Sequence, residues 1–263
     1  MTAAGDSLAR GDTVVAGVRT AYPVGARVVD LAVVAVLSPV LAFVAAIVAI
    51  AVALDSPGPV LFRSVRIGRD GRRFEMLKFR TMVHRCAGPS ISCDGDARYT
   101  PVGRLLAAAR LDELPQVWNV ACGEMRLVGP RPEVEQFVRA QAGAYRQILA
   151  LPPGITGPTQ LAFADEGRRL ALVADPERVY AEEILPVKVR LDVDYVRRRS
   201  LRRDMVAIAH TWLVPGRQLA LALRDDRHAR GRPVEALAGA ATMVLAVVAM
   251  VAAFAAQGAT TAF

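Results

Sequence analysis

The chain has 263 residues with a formal net charge of +8, and 53% of its residues are hydrophobic while 22% are charged. Its three cysteines form no disulfide framework, which disfavours a disulfide-stabilised secreted domain and suits a body that faces the cytoplasm. The positive charge alone fits nucleic acid, anionic lipid head groups or a nucleotide sugar. Two long uncharged blocks and the lack of a base-stacking aromatic cluster disfavour a nucleic-acid binder, so we expect no nucleic-acid partner.

The first uncharged block, residues 31–54, follows an N-terminal tail that we assign to residues 1–22. Its 24 residues would span about 36 Å as a helix, which is enough to cross a bilayer. Ser38 and Pro39 lie inside the block; a proline removes one backbone donor, and a nearby serine hydroxyl can satisfy the freed carbonyl. Arginines flank both ends of the block, so charge gives no orientation. On these grounds a hairpin of two short helices and a kinked spanning helix both remain open.

The polar body after this block is predicted to combine helices with a small sheet. Residues 59–80 predict a β-hairpin and residues 102–110 a helix. Apolar residues at helical spacing after Pro132 predict another helix, with Gln141 as the polar interruption of its stripe. Packing on the core and a place in the membrane interface would both explain a further apolar stripe at Leu201, Met205, Ile208 and Trp212. The expected fold class is α+β and mostly helical.

The second uncharged block follows a basic linker that we assign to residues 214–235. Residues 236–256 are long enough to span a bilayer as a helix. Arginines precede this segment and no positive charge follows it, so the positive-inside rule places its start in the cytoplasm. We therefore expect a C-terminal transmembrane helix over residues 236–256.

The residues that point to chemistry begin with the adjacent carboxylates Asp112 and Glu113. Arg131 follows in a rigid Gly-Pro-Arg-Pro turn, and residues 63–85 contain eight Lys or Arg against two acids. A carboxylate can attack phosphorus or hold a divalent metal, and fixed cations can hold phosphate oxygens. A purely structural role is the alternative, because Asp112 could cap a helix that has Pro115 in its first turn.

Six motifs follow one another along the chain: SPGP (56–59), KFRTM (78–82), LDELPQVWNV (111–120), GEM (123–125), LVGPRP (127–132) and PGITG (153–157). In this order they closely resemble the bacterial sugar transferase family, the monotopic phosphoglycosyl transferases that act on polyprenyl phosphate. The resemblance covers about residues 23–213. Several long motifs in the family order make it specific, although no single motif would suffice.

The resemblance implies a reaction, because family members transfer a sugar-1-phosphate from a UDP-sugar to undecaprenyl phosphate and release UMP. It implies that Asp112 is the nucleophile that forms a phospho-sugar intermediate, and that Glu113 helps to bind Mg²⁺. Arg131 is then expected to fork onto a phosphate. Lys78 and Arg80 are further candidates for the same anionic pocket. Lys188 lies in a stretch that resembles a subset of the family, and no role is assigned to it.

The resemblance also implies a place in the cell. Ser38 and Pro39 match the Ser-Pro break that makes the N-terminal helix of the family re-enter the cytoplasmic face, which favours the hairpin over the spanning helix. The expected architecture is a monotopic domain, residues 23–213, in the cytoplasmic membrane, with membrane lipids as partners and its catalytic part facing the cytoplasm. Such a half-immersed domain can meet a buried polyprenyl acceptor and a soluble nucleotide sugar together.

Three departures from the family pattern bear on activity. Pro152 replaces an arginine that often precedes the PGITG motif, and Arg126 stands where many members have serine. Residues 158–163 lack the Asn-Gly-Arg of some members, so the transferred sugar is not predicted. A catalytically silent membrane scaffold for a glycan-assembly complex is the alternative function, which Pro152 leaves open and the intact carboxylate pair opposes.

Overall fold

The computed structural model describes residues 24–211 with the exception of residues 87, 89, 90 and 209. The expected N-terminal tail, the basic linker and the C-terminal transmembrane helix lie outside the described residues. The described part folds into helices and two small two-stranded sheets, which confirms the expected mostly helical α+β class.

The described chain begins with one long apolar helix, α1 (Val24–Asp55). Among the described helices it is the one long and apolar enough to cross a membrane. The helix continues through Pro39, so the structure does not confirm the predicted hairpin of two short helices. The hydroxyl of Ser38 donates to the carbonyl oxygen of Ala35 at 2.8 Å. That carbonyl lies four residues before Pro39 and has lost its usual N–H donor, so the serine supplies the missing hydrogen bond, as predicted.

The first turns of α1 are fixed to the body by charged side chains. Arg27 donates from Nη2 to the carbonyl oxygen of Ala121 at 2.8 Å. Asp30 is buried and lies 3.2 Å from Nε of Arg126, whose Nη2 lies 3.4 Å from Asp204. Arg126, one of the departures from the family pattern, therefore connects α1 to a helix near residue 204 through a buried ionic network.

The last turns of α1 pack into a first hydrophobic core. The buried side of the helix carries Val44, Val48, Ala51 and Val52. Their partners in this core are Phe79, Val102, Leu106 and Leu111. The outer side stays exposed, including Phe43, Ile50 and Leu54. Within the described part of the chain, these last turns of α1 are therefore covered by protein on one side.

A β-hairpin follows α1, as predicted. Strands β1 (Leu61–Ile67) and β2 (Arg73–Phe79) pair antiparallel, with Phe62 opposite Lys78. The turn between them uses Asp70 with a φ of 57°, a left-handed conformation that aspartate tolerates better than most residues. The hairpin positions Lys78 close to the next connection of the chain, which carries the predicted carboxylates.

Helix α2 (Pro101–Ala109) lies where the sequence predicted a helix. Thr100 caps it, since its hydroxyl accepts the N–H of Gly103 at 3.0 Å. A 3-10 turn (Leu111–Glu113) then leads into α3 (Gln116–Cys122).

The second sheet joins two distant motifs, because β3 (Arg126–Val128) and β4 (Gly154–Thr156) are parallel neighbours. The single helix predicted after Pro132 is in fact divided at Gln141, whose φ and ψ of −122° and 34° are not helical. The two resulting helices are α4 (Glu135–Ala140) and α5 (Ala142–Ile148).

The remaining elements enclose a second core around Ile67, Tyr145, Leu170 and Leu185. They are α6 (Pro158–Ala162), α7 (Glu166–Leu170), α8 (Pro176–Val179), a π-helical turn (Tyr180–Ile184), α9 (Leu185–Arg198) and a helix over residues 201–208. In this last helix Asp204 and Ala207 are buried while Leu201 is 63% exposed. Packing on the core therefore does not account for the whole predicted apolar stripe.

Candidate active site

Asp112 and Glu113 lie in the 3-10 turn between α2 and α3. The turn is fixed at its start, because Arg110 adopts a left-handed conformation (φ 56°) that ends α2 and Leu111 is buried in the first core. α3 begins after Pro115 and has no side-chain cap. Asp112 is therefore not the helix cap that was the structural alternative, and its carboxylate is left for other partners.

Lys78 pairs with both carboxylates. Its Nζ lies 3.1 Å from Oε1 of Glu113 and 3.7 Å from Oδ2 of Asp112. Arg110 adds a second cation, with Nη1 at 3.8 Å from Oε2 of Glu113. The side chains of Lys78, Asp112 and Glu113 are 21%, 12% and 12% exposed, so the group is mostly buried but open to solvent on one side.

The two adjacent carboxylates have different electrostatic environments. Burial raises the pKa of Asp112 to about 6, with Lys78 opposing this shift and the charge of Glu113 adding to it. Burial acts on Glu113 in the same direction, but Lys78, Arg110 and Arg131 together outweigh it and lower its pKa to about 2. At neutral pH Glu113 is thus always ionised, whereas Asp112 is an anion of higher basicity. Paired groups whose environments separate their pKa values are typical of sites with two distinct chemical roles.

The Gly-Pro-Arg-Pro turn that carries Arg131 is held in place by the PGITG motif. The N–H of Gly129 donates to the carbonyl oxygen of Thr156, and the N–H of Gly154 donates to that of Pro130, both at 2.9 Å. A Cβ atom at Gly154 would collide with the backbone of Gly129, so this close approach requires glycine. Two motifs that are distant in the sequence therefore form one structural unit around Arg131.

Asp192, on α9, supports the same turn. It is buried and accepts hydrogen bonds from the backbone N–H of Arg131 and from the hydroxyl of Thr159. Burial raises the pKa of Asp192 to about 7. Asp192 therefore fixes the stretch of backbone from which the guanidinium of Arg131 projects.

A second polar group, which we name the inner cluster, consists of Arg66, Glu133, Glu166, Tyr180 and Lys188. The hydroxyl of Tyr180 donates to Oε1 of Glu133 at 2.6 Å, and Nζ of Lys188 donates to the Tyr180 oxygen at 3.2 Å. Lys188 also pairs with Glu166, and Nη1 of Arg66 lies 3.9 Å from Oε2 of Glu133. Lys188, to which the sequence gave no role, is thus buried in a continuous chain of polar contacts.

Arg131 is electrostatically coupled to both groups. Burial opposes its charge, but Glu113, Glu133 and Glu166 outweigh this effect and raise the pKa of the guanidinium. In turn Arg131 lowers the pKa of Glu113. The structure therefore places Lys78 in contact with the Asp112–Glu113 pair, while Arg131 acts on Glu113 through its charge. That Lys78 and Arg131 bind phosphate stays a prediction.

Arg80 has other partners. Its Nη2 donates to the carbonyl oxygens of Val52 and Ser56 at 3.1 and 2.6 Å, so it binds the C-terminal end of α1. A Cβ atom at Gly58, which has a φ of 126°, would collide with Nη1 of Arg80. The structure thus places Arg80 in the junction between α1 and the hairpin, and a contact between Arg80 and phosphate stays a prediction.

The predicted Mg²⁺ can be tested against the donor set. Within residues 24–211, where described, there is no group of three or more His, Cys, Asp or Glu side chains arranged for a metal ion. Two adjacent carboxylates nevertheless fit Mg²⁺, because this ion commonly takes one or two protein carboxylates and completes its shell with substrate phosphates and water. Glu113 is the better candidate ligand, since its low pKa keeps it ionised.

Sequence reasoning missed several residues of this site. Arg110 and Glu133 each directly adjoin a recognised motif, so their position two residues from Asp112 and from Arg131 was the available signal. The other missed residues are separated by long stretches of sequence and carry no common spacing. They are Glu166, Tyr180 and Asp192.

Comparisons with known proteins support the chemistry suggested by this geometry. A sequence profile described as bacterial sugar transferase matches residues 21–217. The chain is 37% identical over 198 residues to the UDP-glucose:undecaprenyl-phosphate glucose-1-phosphate transferase of Caulobacter vibrioides, which covers 73% of this chain and 70% of that protein.

The names of two further relatives refer to N-acetylgalactosamine and to glucose. The UDP-N-acetylgalactosamine-undecaprenyl-phosphate N-acetylgalactosaminephosphotransferase of Aeromonas hydrophila is 37% identical over 62% of this chain and 37% of its own length. The UDP-glucose:undecaprenyl-phosphate glucose-1-phosphate transferase of Escherichia coli is 35% identical over 64% of this chain and 34% of its own length. Much of these two longer proteins therefore has no counterpart in the matched region.

Proposed function

Because the chain belongs to the bacterial sugar transferase family, we propose that it transfers a sugar-1-phosphate from a UDP-sugar to undecaprenyl phosphate and releases UMP. The observation that carries this proposal is the position of Lys78 within 4 Å of two adjacent carboxylates, Asp112 and Glu113, in one short turn. Burial in addition raises the pKa of Asp112 and so increases its basicity. Higher basicity favours Asp112 as the group that attacks phosphorus.

The proposed reaction has two displacement steps at one phosphorus atom. In the first, an oxygen of Asp112 attacks the phosphorus that bears the sugar, and the bond to the bridging oxygen breaks. UMP leaves with that oxygen, and an aspartyl phospho-sugar remains. In the second, a phosphate oxygen of undecaprenyl phosphate attacks the same phosphorus, the aspartyl oxygen leaves, and Asp112 is regenerated.

The neighbouring cations support both steps. Lys78 lies within 4 Å of both carboxylates and would offset the repulsion between Asp112 and an anionic diphosphate. Arg131, held by Asp192 and the PGITG motif, offers two parallel donors for phosphate oxygens. Glu113 would hold Mg²⁺, which when bound neutralises charge on the diphosphate.

The contacts of α1 support membrane attachment from one face. Its start binds α3 and β3 through Arg27 and Asp30, and its end binds the hairpin through Arg80. Both ends therefore meet the same catalytic body, which favours a helix that enters and leaves by one membrane face over a spanning helix. We propose that Ser38 and Pro39 mark the membrane-immersed bend of such a helix, in the cytoplasmic membrane.

The test uses the full chain in membranes with Mg²⁺, undecaprenyl phosphate and a panel of UDP-sugars, with UMP release as the readout. At least one UDP-sugar should give acceptor-dependent turnover. Without acceptor, a donor labelled in the sugar-bearing phosphate should label the protein. Asp112→Asn should abolish both signals, while the exposed control Asp165→Asn should leave them unchanged. Failure of every UDP-sugar would favour the silent scaffold.

A further inference from the structure

One face of strand β1 runs along the candidate active site. Directly opposed residues of an antiparallel pair share a face, so Phe62 lies beside Lys78, the cation of the carboxylate pair. Ser64 and Arg66 follow on the same face because side chains alternate along a strand. Phe62 and Arg66 are four residues apart, about 13 Å. This face therefore begins at the carboxylate pair and ends at Arg66 in the inner cluster.

The two ends of this face have opposite chemical character. At the Arg66 end lie Glu133, Tyr180 and the rest of the inner cluster, which offers hydrogen bonds and charge. At the other end Phe62 is 55% exposed, an unusual state for a large aromatic side chain next to a mostly buried ionic group. The side chains that β1 contributes to this face thus change from charged at Arg66 to apolar at Phe62 over about 13 Å, while their β2 neighbours Met76 and Phe74 are buried in the core.

The apolar end adjoins the last turns of α1. Arg80 continues the ladder of the hairpin by donating its N–H to the carbonyl oxygen of Val60, and its guanidinium binds Val52 and Ser56 of the α1 end. On that last stretch of α1, Ile50 and Leu54 are 62% and 82% exposed. Exposed apolar side chains therefore lie on both sides of the short connection between α1 and β1, with Ile50 and Leu54 before it and Phe62 after it.

We propose that Phe62 contacts the isoprenoid chain of the acceptor and guides it from the lipid surface of α1 to the carboxylate pair. This inference rests on the proposed function. The acceptor must keep its chain in an apolar environment while its phosphate reaches Asp112, and Phe62 is the exposed apolar side chain beside Lys78 at that junction. The polar inner cluster lies at the opposite end of this face, and its charged and hydroxyl groups suit the nucleotide sugar.

The test separates the two half-reactions in Phe62→Ser. Without acceptor, the burst of UMP from a UDP-sugar should match that of the unmodified protein. With acceptor at fixed detergent concentration, KM for undecaprenyl phosphate should rise at least about tenfold, because a buried aromatic contact is lost. An acceptor shortened to a few isoprenoid units should show the same difference, because it retains the units next to the phosphate, and Phe62→Leu should restore most of the lost affinity.

The matched control is Val65→Ser, which removes an exposed apolar side chain (42%) from the opposite face of the same strand. It should change neither half-reaction by more than about twofold, as expected for a surface substitution. An unchanged acceptor KM in Phe62→Ser would overturn the inference. A raised KM for the UDP-sugar with a normal acceptor KM would also overturn it and assign Phe62 to the nucleotide. Absence of a UMP burst in the unmodified protein would instead refute the proposed function.

Discussion

The two lysines of this chain occupy sites of opposite design. Lys78 lies near the end of β2, its side chain is 21% exposed, and it pairs with two carboxylates from one short turn. Lys188 is 4% exposed and takes part in the inner cluster, whose members come from four other segments of the chain. Burial and the charge of Arg131 lower the pKa of Lys188, while Glu166 and Glu133 oppose that shift. Lys78 is thus accessible enough for the substrate contact that we propose, whereas Lys188 is enclosed among the residues that it pairs with.

The largest expected effect is at the accessible lysine. Lys78→Met should slow the UMP burst by about 10²–10³-fold, because the proposed reaction uses this cation to offset the repulsion between Asp112 and the diphosphate. The unfolding temperature should also fall, because two mostly buried carboxylates lose a neighbouring cation, so the burst is measured at a temperature where the variant is folded. Stopped-flow or quenched UMP assays check the rate, and a thermal-shift assay checks the stability.

Arg63→Met provides the control for Lys78. Arg63 is 65% exposed and pairs with Glu75 on the opposite face of the same hairpin. It carries the same charge on the same element, so its loss should leave the burst within about twofold. An equal loss of rate in both variants would mean that overall charge, rather than the position of Lys78, determines the effect.

A smaller effect of a different kind is expected at the enclosed lysine. Lys188→Met leaves Glu166 without its buried cation, which should reduce the free energy of unfolding by about 3 kcal/mol and Tm by roughly 6–12 °C. The rate at a permissive temperature should fall less than about tenfold. Adding Glu166→Gln should recover part of the stability because the unpaired charge is then gone. A rate loss as large as that of Lys78→Met would place Lys188 in contact with substrate.

The same contrast explains what could be predicted from the sequence. Local sequence patterns predicted the hairpin and α2, because turn chemistry and short-range periodicity decide these features. The adjacent carboxylates Asp112 and Glu113 could be read directly from the sequence. They did not give the division at Gln141, where an apolar stripe continues across a non-helical residue. Ser38 was correctly expected to satisfy a carbonyl near Pro39, yet the helix continues through this point.

The inner cluster could not have been predicted, because its contacts form only when distant segments pack. Its pairs, such as Tyr180 with Glu133 and Arg66 with Glu133, are 47 and 67 residues apart. No spacing rule connects such positions. The role of Arg126, which departs from the family pattern, could not have been predicted either, because its partners Asp30 and Asp204 are 96 and 78 residues away.

The smallest effect, and the most specific, concerns pH. Burial raises the pKa of Asp112 to about 6, and the proposed attack needs the ionised carboxylate. The kcat/KM of UMP release should therefore be constant above this pH and fall about tenfold per unit below it. Glu113 adds to the raised pKa, so in Glu113→Gln the acidic limb should move to lower pH, even though the overall rate is reduced. Lys78→Met removes a charge that lowers this pKa, so its limb should move upward.

Asp192 is the competing source of such a limb, because burial raises its pKa to about 7. Asn at this position can still accept the N–H of Arg131, so Asp192→Asn should retain most of the rate while removing any titration of Asp192 itself. If the limb persists in Asp192→Asn and shifts in Glu113→Gln, it belongs to the carboxylate pair. If the limb disappears in Asp192→Asn and does not shift in Glu113→Gln, then Asp192 is the group that titrates. Asp112 would then lose the property on which its role as the attacking group rests.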